Sequence, residues 1–142
     1  MPQISRATLE THLRIGMLLA EHTAPAKPDE AIFEIVNQLN RGSHLLTSVD
    51  DCERVAELNL IAGRCAKVST AYASALKYLG AGRALLTEET WGRNYPLIFS
   101  TEYLMAECEL LTADKVAAEQ SSYGCQDWIM HIPGIRRSGC VT

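Results

Sequence analysis

Apolar residues in this chain recur at intervals of three and four, not at the interval of two that a strand requires. That period admits little but amphipathic helices. Leu9, Leu13, Met17 and Ala20 mark one face of a first helix over about residues 8–21. Ala24-Pro25 and Lys27-Pro28 end it, because a residue before proline avoids the α region. Pro28 and Asp29 then open a second helix, where a proline is tolerated and an acid suits the dipole. Ile32, Ile35, Val36 and Leu39 follow its buried stripe, and Gly42 stands at its C′ position.

The pattern continues beyond a short connection. Ser48 with Asp51 resembles a capping box for a third helix carrying Val55, Leu58, Ala62 and Cys65. A turn is expected near Ser69-Thr70. The fourth helix carries Tyr72, Ala75, Leu76, Leu79, Gly82 and Leu86, and its many small residues let a neighbouring helix come close. Its glycines weaken it by about 1 kcal/mol each in isolation, so tertiary packing must hold it. Thr87 is the expected N-cap of a fifth helix with Leu97, Leu104, Cys108 and Leu111 inside. Pro96 falls within that pattern and predicts a kink, or a break with a restart at Pro96. Thr112-Ala113-Asp114 reads as a turn, and Lys115–Gln120 as the start of a sixth helix. The segment 121–142 lacks a helical period and reads as an irregular tail.

Composition narrows the class. A chain of 142 residues suits one domain. With 47% apolar and 21% charged residues it is not intrinsically disordered. A net charge of −4 gives no nucleic-acid footprint. No apolar run approaches the length of a membrane span, and no secretory signal follows Met1. The five cysteines are odd in number and lack C-x-x-C spacing, which predicts reduced thiols in the cytoplasm. Cys52, Cys65 and Cys108 read as small core residues.

Chemical motifs are absent. No glycine-rich loop precedes Lys and Ser/Thr, and neither G-x-S-x-G nor H-E-x-x-H occurs. No catalytic residue, cofactor or metal is therefore expected. Cys125, His131 and Cys140 have spacings that match no zinc module. His12 and His22 read as solvated. The acid pairs Asp50-Asp51, Glu88-Glu89 and Glu107/Glu109 read as helix-start or surface groups. Arg41, Arg64, Lys67, Lys77 and Arg83 read as a solvated face rather than an anion site. Asparagine is a poor helix former, so Asn37, Asn40 and Asn59 point to hydrogen bonds between helices. Asn37, Asn59 and Tyr72 are the expected contacts if the domain holds a ligand or partner.

The segment Leu58–Leu86, with Gly63, Ala66, Ala75, Leu79 and Gly82 at their offsets, resembles a tetratricopeptide-type helix pair. Longer words are more specific: residues 32–42 (IFEIVNQLNRG), 56–64 (AELNLIAGR), 66–79 (AKVSTAYASALKYL) and 106–112 (AECELLT). Together they resemble the helical region behind the ATPase domain of very large bacterial multi-sensor signalling proteins. In that family a serine/threonine kinase-like domain is followed by an AAA-type, STAND-like ATPase, a long helical repeat region, and GAF and histidine kinase domains.

The resemblance covers about residues 9–120 and carries over no catalytic residue. It implies an all-α antiparallel stack of helix hairpins, tetratricopeptide-like, over residues 1–120. It implies a scaffold or relay acting through protein domains of the same or a partner chain. It also predicts a fragment of a longer gene, with uncovered apolar faces that favour self-association. The alternative is a small-molecule-sensing regulatory helical domain.

Overall fold

The computed structural model describes residues 3–22 and 28–130 and shows an all-α fold. Six α-helices and no strand occur among the described residues: α1 (Arg6–His22), α2 (Pro28–Gly42), α3 (Val49–Val68), α4 (Tyr72–Ala84), α5 (Glu88–Arg93) and α6 (Tyr95–Met130). A single 3₁₀ turn, Ser43–Leu45, joins α2 to α3.

The helices pack as antiparallel neighbours. In the first hairpin, Leu9 of α1 lies by Gly42 of α2, and Gly16 by Leu39, so the two run in opposite directions. In the second, Ala56 of α3 lies by Gly82 of α4, and Gly63 by Leu79. Each helix of each hairpin thus presents one glycine to its partner. A methyl added at Gly16 would stand 2.7 Å from Leu39 Cδ2, and one at Gly42 would stand 2.6 Å from the carbonyl oxygen of Leu9. One at Gly63 would stand 2.6 Å from Leu79 Cδ2. These glycines are needed for close approach, which protein interiors at crystal-like density leave no room to relax.

Three apolar clusters fill the stack. Ile35, Leu39 and Val55 pack with Leu13 and Met17 between α1, α2 and α3. Ile32, Val36 and Ala62 pack with Phe33 and Tyr78. Leu60, Leu79, Leu97, Ile98, Leu104 and Cys108 join α3 and α4 to α6. Leu39, Leu79 and Ile98 are wholly buried, and burial of each stabilises the fold by about 1.5–3 kcal/mol.

The junctions have definite chemistry. The α3–α4 turn is a Schellman motif: Ala71 N–H donates to Ala66 C=O at 2.9 Å and Thr70 N–H to Lys67 C=O at 2.8 Å. Thr70 takes the left-handed conformation, φ 58°, that glycine usually supplies. Of the two outcomes Pro96 allows, the chain breaks. Asn94 caps the restarted helix: its Oδ1 accepts from Leu97 N–H at 3.4 Å. Pro96 then lies in the first turn, where its missing N–H has no helical partner to lose.

Several expectations are corrected. Gly42 closes α2 with φ −108° rather than a left-handed turn, so the need for glycine there is steric: a Cβ would meet the Leu9 carbonyl oxygen at 2.6 Å. Ser48 and Thr87 precede their helices as expected, but neither side chain makes a capping bond. Thr112-Ala113-Asp114 is not a turn. Thr112 Oγ1 bonds back to Cys108 C=O at 2.8 Å within a continuous α6, so no separate helix starts at Lys115. That helix also runs ten residues into the segment read as irregular, to Met130. The proline signals at 23–27 and residues 131–142 lie outside the described residues.

Candidate functional site

The three residues singled out from the sequence do not form one site. Asn59 is fully buried on α3 and joins Asn40 of α2. Asn40 Nδ2 donates to Asn59 Oδ1 at 2.8 Å, and Asn59 Nδ2 donates to Asn40 Oδ1 at 2.9 Å. Asn59 Nδ2 also donates to Val55 C=O at 3.0 Å. A carbonyl can only accept, so this bond fixes which way the Asn59 amide faces, and hence the Asn40 amide too. Gly82 of α4 backs Asn59 on its far side. The inter-helix hydrogen bond expected of Asn40 and Asn59 is present, and its role is structural.

Asn37 is exposed on α2 and accepts a 3.4 Å hydrogen bond from the Tyr78 hydroxyl of α4. Tyr78 in turn packs against Phe33 with the rings tilted at 36° and centroids 5.5 Å apart. Tyr72 lies six residues earlier on α4, about 9 Å along the helix. It lines a separate shallow cleft of about 200 Å³ with Thr70, Ser74, Thr112 and Lys115.

A larger groove of about 350 Å³ runs between α2 and α4. Asn37, Asn40, Arg41, Lys77, Tyr78 and Ala81 line it. Its two cations, Arg41 and Lys77, are both exposed, as the reading of a solvated basic face expects. Lys67 pairs with Glu107 at 2.5 Å, and Arg83 with Glu102, but Arg41 and Lys77 share one groove that no acid lines.

The remaining groups are structural. Arg93 draws α5 to the start of α3, pairing with Asp50 at 2.5 Å and standing 3.8 Å from Glu53. His12 is half-buried rather than solvated, with Nδ1 2.6 Å from Gln38 Oε1 across α1 and α2. Cys108 is wholly buried, and burial pushes its thiol up, with nearby Lys67 working the other way. Burial and neighbouring Asp51 push the Cys52 thiol up too. Raised thiols are poor nucleophiles. No cluster of three metal-ligating side chains occurs among the described residues, and no described helix is long and apolar enough to cross a membrane.

One surface feature went unread in the sequence. Trp91, Tyr95, Phe99 and Tyr103 form an exposed ladder along α5 and α6, with successive centroids 5.7, 6.0 and 6.2 Å apart. Phe99 and Tyr103 are 54% and 62% exposed, and Leu110, two turns on, is also 62% exposed. The signal was a run of four aromatics at a spacing of four, on the side of the helix opposite Leu97 and Leu104.

Comparison with protein-family models, with curated proteins and with solved structures finds no match.

Proposed function

We propose that the chain is a non-enzymatic helical scaffold, a tetratricopeptide-like segment that relays signals through protein contacts. The observation that carries this reading is the aromatic ladder Trp91–Tyr103. Large aromatic side chains held in solvent are unusual for a free surface and typical of a docking face. Its fitting occupant is another helical hairpin, from the same or a partner chain, because α6 offers a straight stripe of the kind a neighbouring helix covers in a stack. The resemblance to the region behind the ATPase of multi-sensor kinases supports a cytoplasmic place between a nucleotide switch and an output kinase.

When the purified chain is studied alone, a second copy should occupy the stripe. Sedimentation equilibrium of the chain should then show association that Phe99→Ser with Tyr103→Ser abolishes without lowering Tm. A wild-type chain that stays monomeric at every concentration overturns the reading, as does micromolar ATP binding in equilibrium dialysis. A second reading, a small-molecule-sensing helical domain, is favoured by the groove between α2 and α4.

A further inference from the structure

We propose that the groove between α2 and α4 binds a small organic anion through a carboxylate or phosphate group. The site does not depend on the scaffold reading, since it lies on helices other than those of the aromatic stripe.

The groove presents donors almost alone. Arg41 offers a planar fork that fits two anion oxygens side by side, and Lys77 offers a point charge from the opposite wall. Neither has an ion-pair partner among the described residues, whereas Lys67, Arg83 and Arg93 each hold an acid. The floor is equally one-sided. Asn40 spends one side-chain N–H and its oxygen on Asn59, so its second N–H remains for the groove. That direction is not adjustable, because Val55 fixes the Asn59 amide and Asn59 fixes Asn40. On the rim, the Asn37 oxygen is taken by Tyr78, which leaves the Asn37 NH₂ group as donor.

The acid nearest in sequence on α2 is Glu34, one turn before Asn37 and not part of the lining. No acid lines the groove, so an anion entering it meets two positive charges and no negative one. The volume of about 350 Å³ is at the lower end for ligand pockets, which suits a compact metabolite. Small Ala81 keeps the α4 wall open. Since α2 belongs to the first hairpin and α4 to the second, a bound anion would clasp the two together.

The test is thermal shift and isothermal calorimetry on the full chain at low ionic strength, with inorganic phosphate and with succinate as separate probes. Saturable stabilisation by either supports the site and tells which anion class it takes. Arg41→Gln and Lys77→Gln should each weaken that binding about tenfold or more. Lys115→Gln, in the separate cleft by Tyr72, should leave it unchanged. In NMR titration the Asn40 side-chain amide should shift with the same midpoint. Absence of saturable binding by both probes overturns the proposal. So does a response that persists undiminished in the Arg41→Gln/Lys77→Gln double variant, which would mark a general salt effect.

Discussion

Asn40 and Asn59 hold each other through both side-chain amides, Nδ2 of each to Oδ1 of the other, across the seam between α2 and α3. Asn59 is wholly buried, so the pair substitutes for water that cannot reach it. Asn59→Ala should destabilise the fold by about 1–3 kcal/mol, the cost of leaving buried polar groups unpaired. The Asn40→Ala/Asn59→Ala double variant should cost clearly less than the sum of the singles, since both remove the same bonds. Urea denaturation of the four proteins measures this coupling.

The glycines of α3 and α4 divide into two kinds. A methyl at Gly63 meets Leu79, itself buried, at 2.6 Å, whereas a methyl at Gly80 meets nothing within 4 Å. Gly63→Ala should therefore lose about 1–3 kcal/mol through overpacking. Gly80→Ala should gain about 1 kcal/mol through helix propensity alone. Opposite shifts in Tm from the same substitution are the expected result.

Thr70 is a β-branched residue in left-handed conformation at the end of α3. Its Cβ crowds the following carbonyl there, at roughly 1–2 kcal/mol. Thr70→Gly should recover about 1 kcal/mol of this after the loss to unfolded-chain entropy, with the fold unchanged by circular dichroism. A drop in stability would show that the Thr70 side chain holds the turn in some other way.

Lys67 and Glu107 tie α3 to α6 at 2.5 Å, and that hydrogen bond is the main cause raising the lysine above its ordinary 10.5. A raised lysine stabilises the folded state fully below the unfolded pKa and ceases to do so as pH climbs through the folded one. The stability gap between the wild type and Lys67→Met should stay level from neutral pH to about pH 9.5 and close above about 10.5. Denaturation midpoints across that range give the profile.

Much of the helix layout is legible in residue order. Ile32, Ile35, Val36 and Leu39 predict a buried face that they do form, and Pro28 and Pro96 mark true starts because proline costs nothing in a first turn. The misplaced turn at Thr112 shows the limit. A threonine bonding the carbonyl four residues back and a threonine ending a helix look alike in sequence. Gly42 has the same ambiguity, since the contact that demands it comes from Leu9, more than thirty residues away.

The site was less legible still. Residue type alone marks Asn37, Asn40 and Asn59 for hydrogen bonds between helices, but only the fold pairs Asn59 with Asn40 and buries it. Arg41 and Lys77 are thirty-six positions apart, and nothing in either helix announces that they will face the same groove.

The paired glycines have a mechanical consequence. Gly16 and Gly42 interlock α1 with α2, as Gly63 and Gly82 interlock α3 with α4. Backbones meshed so closely cannot slide or roll past one another without collision, so each hairpin moves as a plank. Compliance is left to the joint between planks, where a 3₁₀ turn, an amide pair and apolar side chains stand in for interlocked backbone. A force or a ligand acting on this molecule would be felt first as a change of angle there.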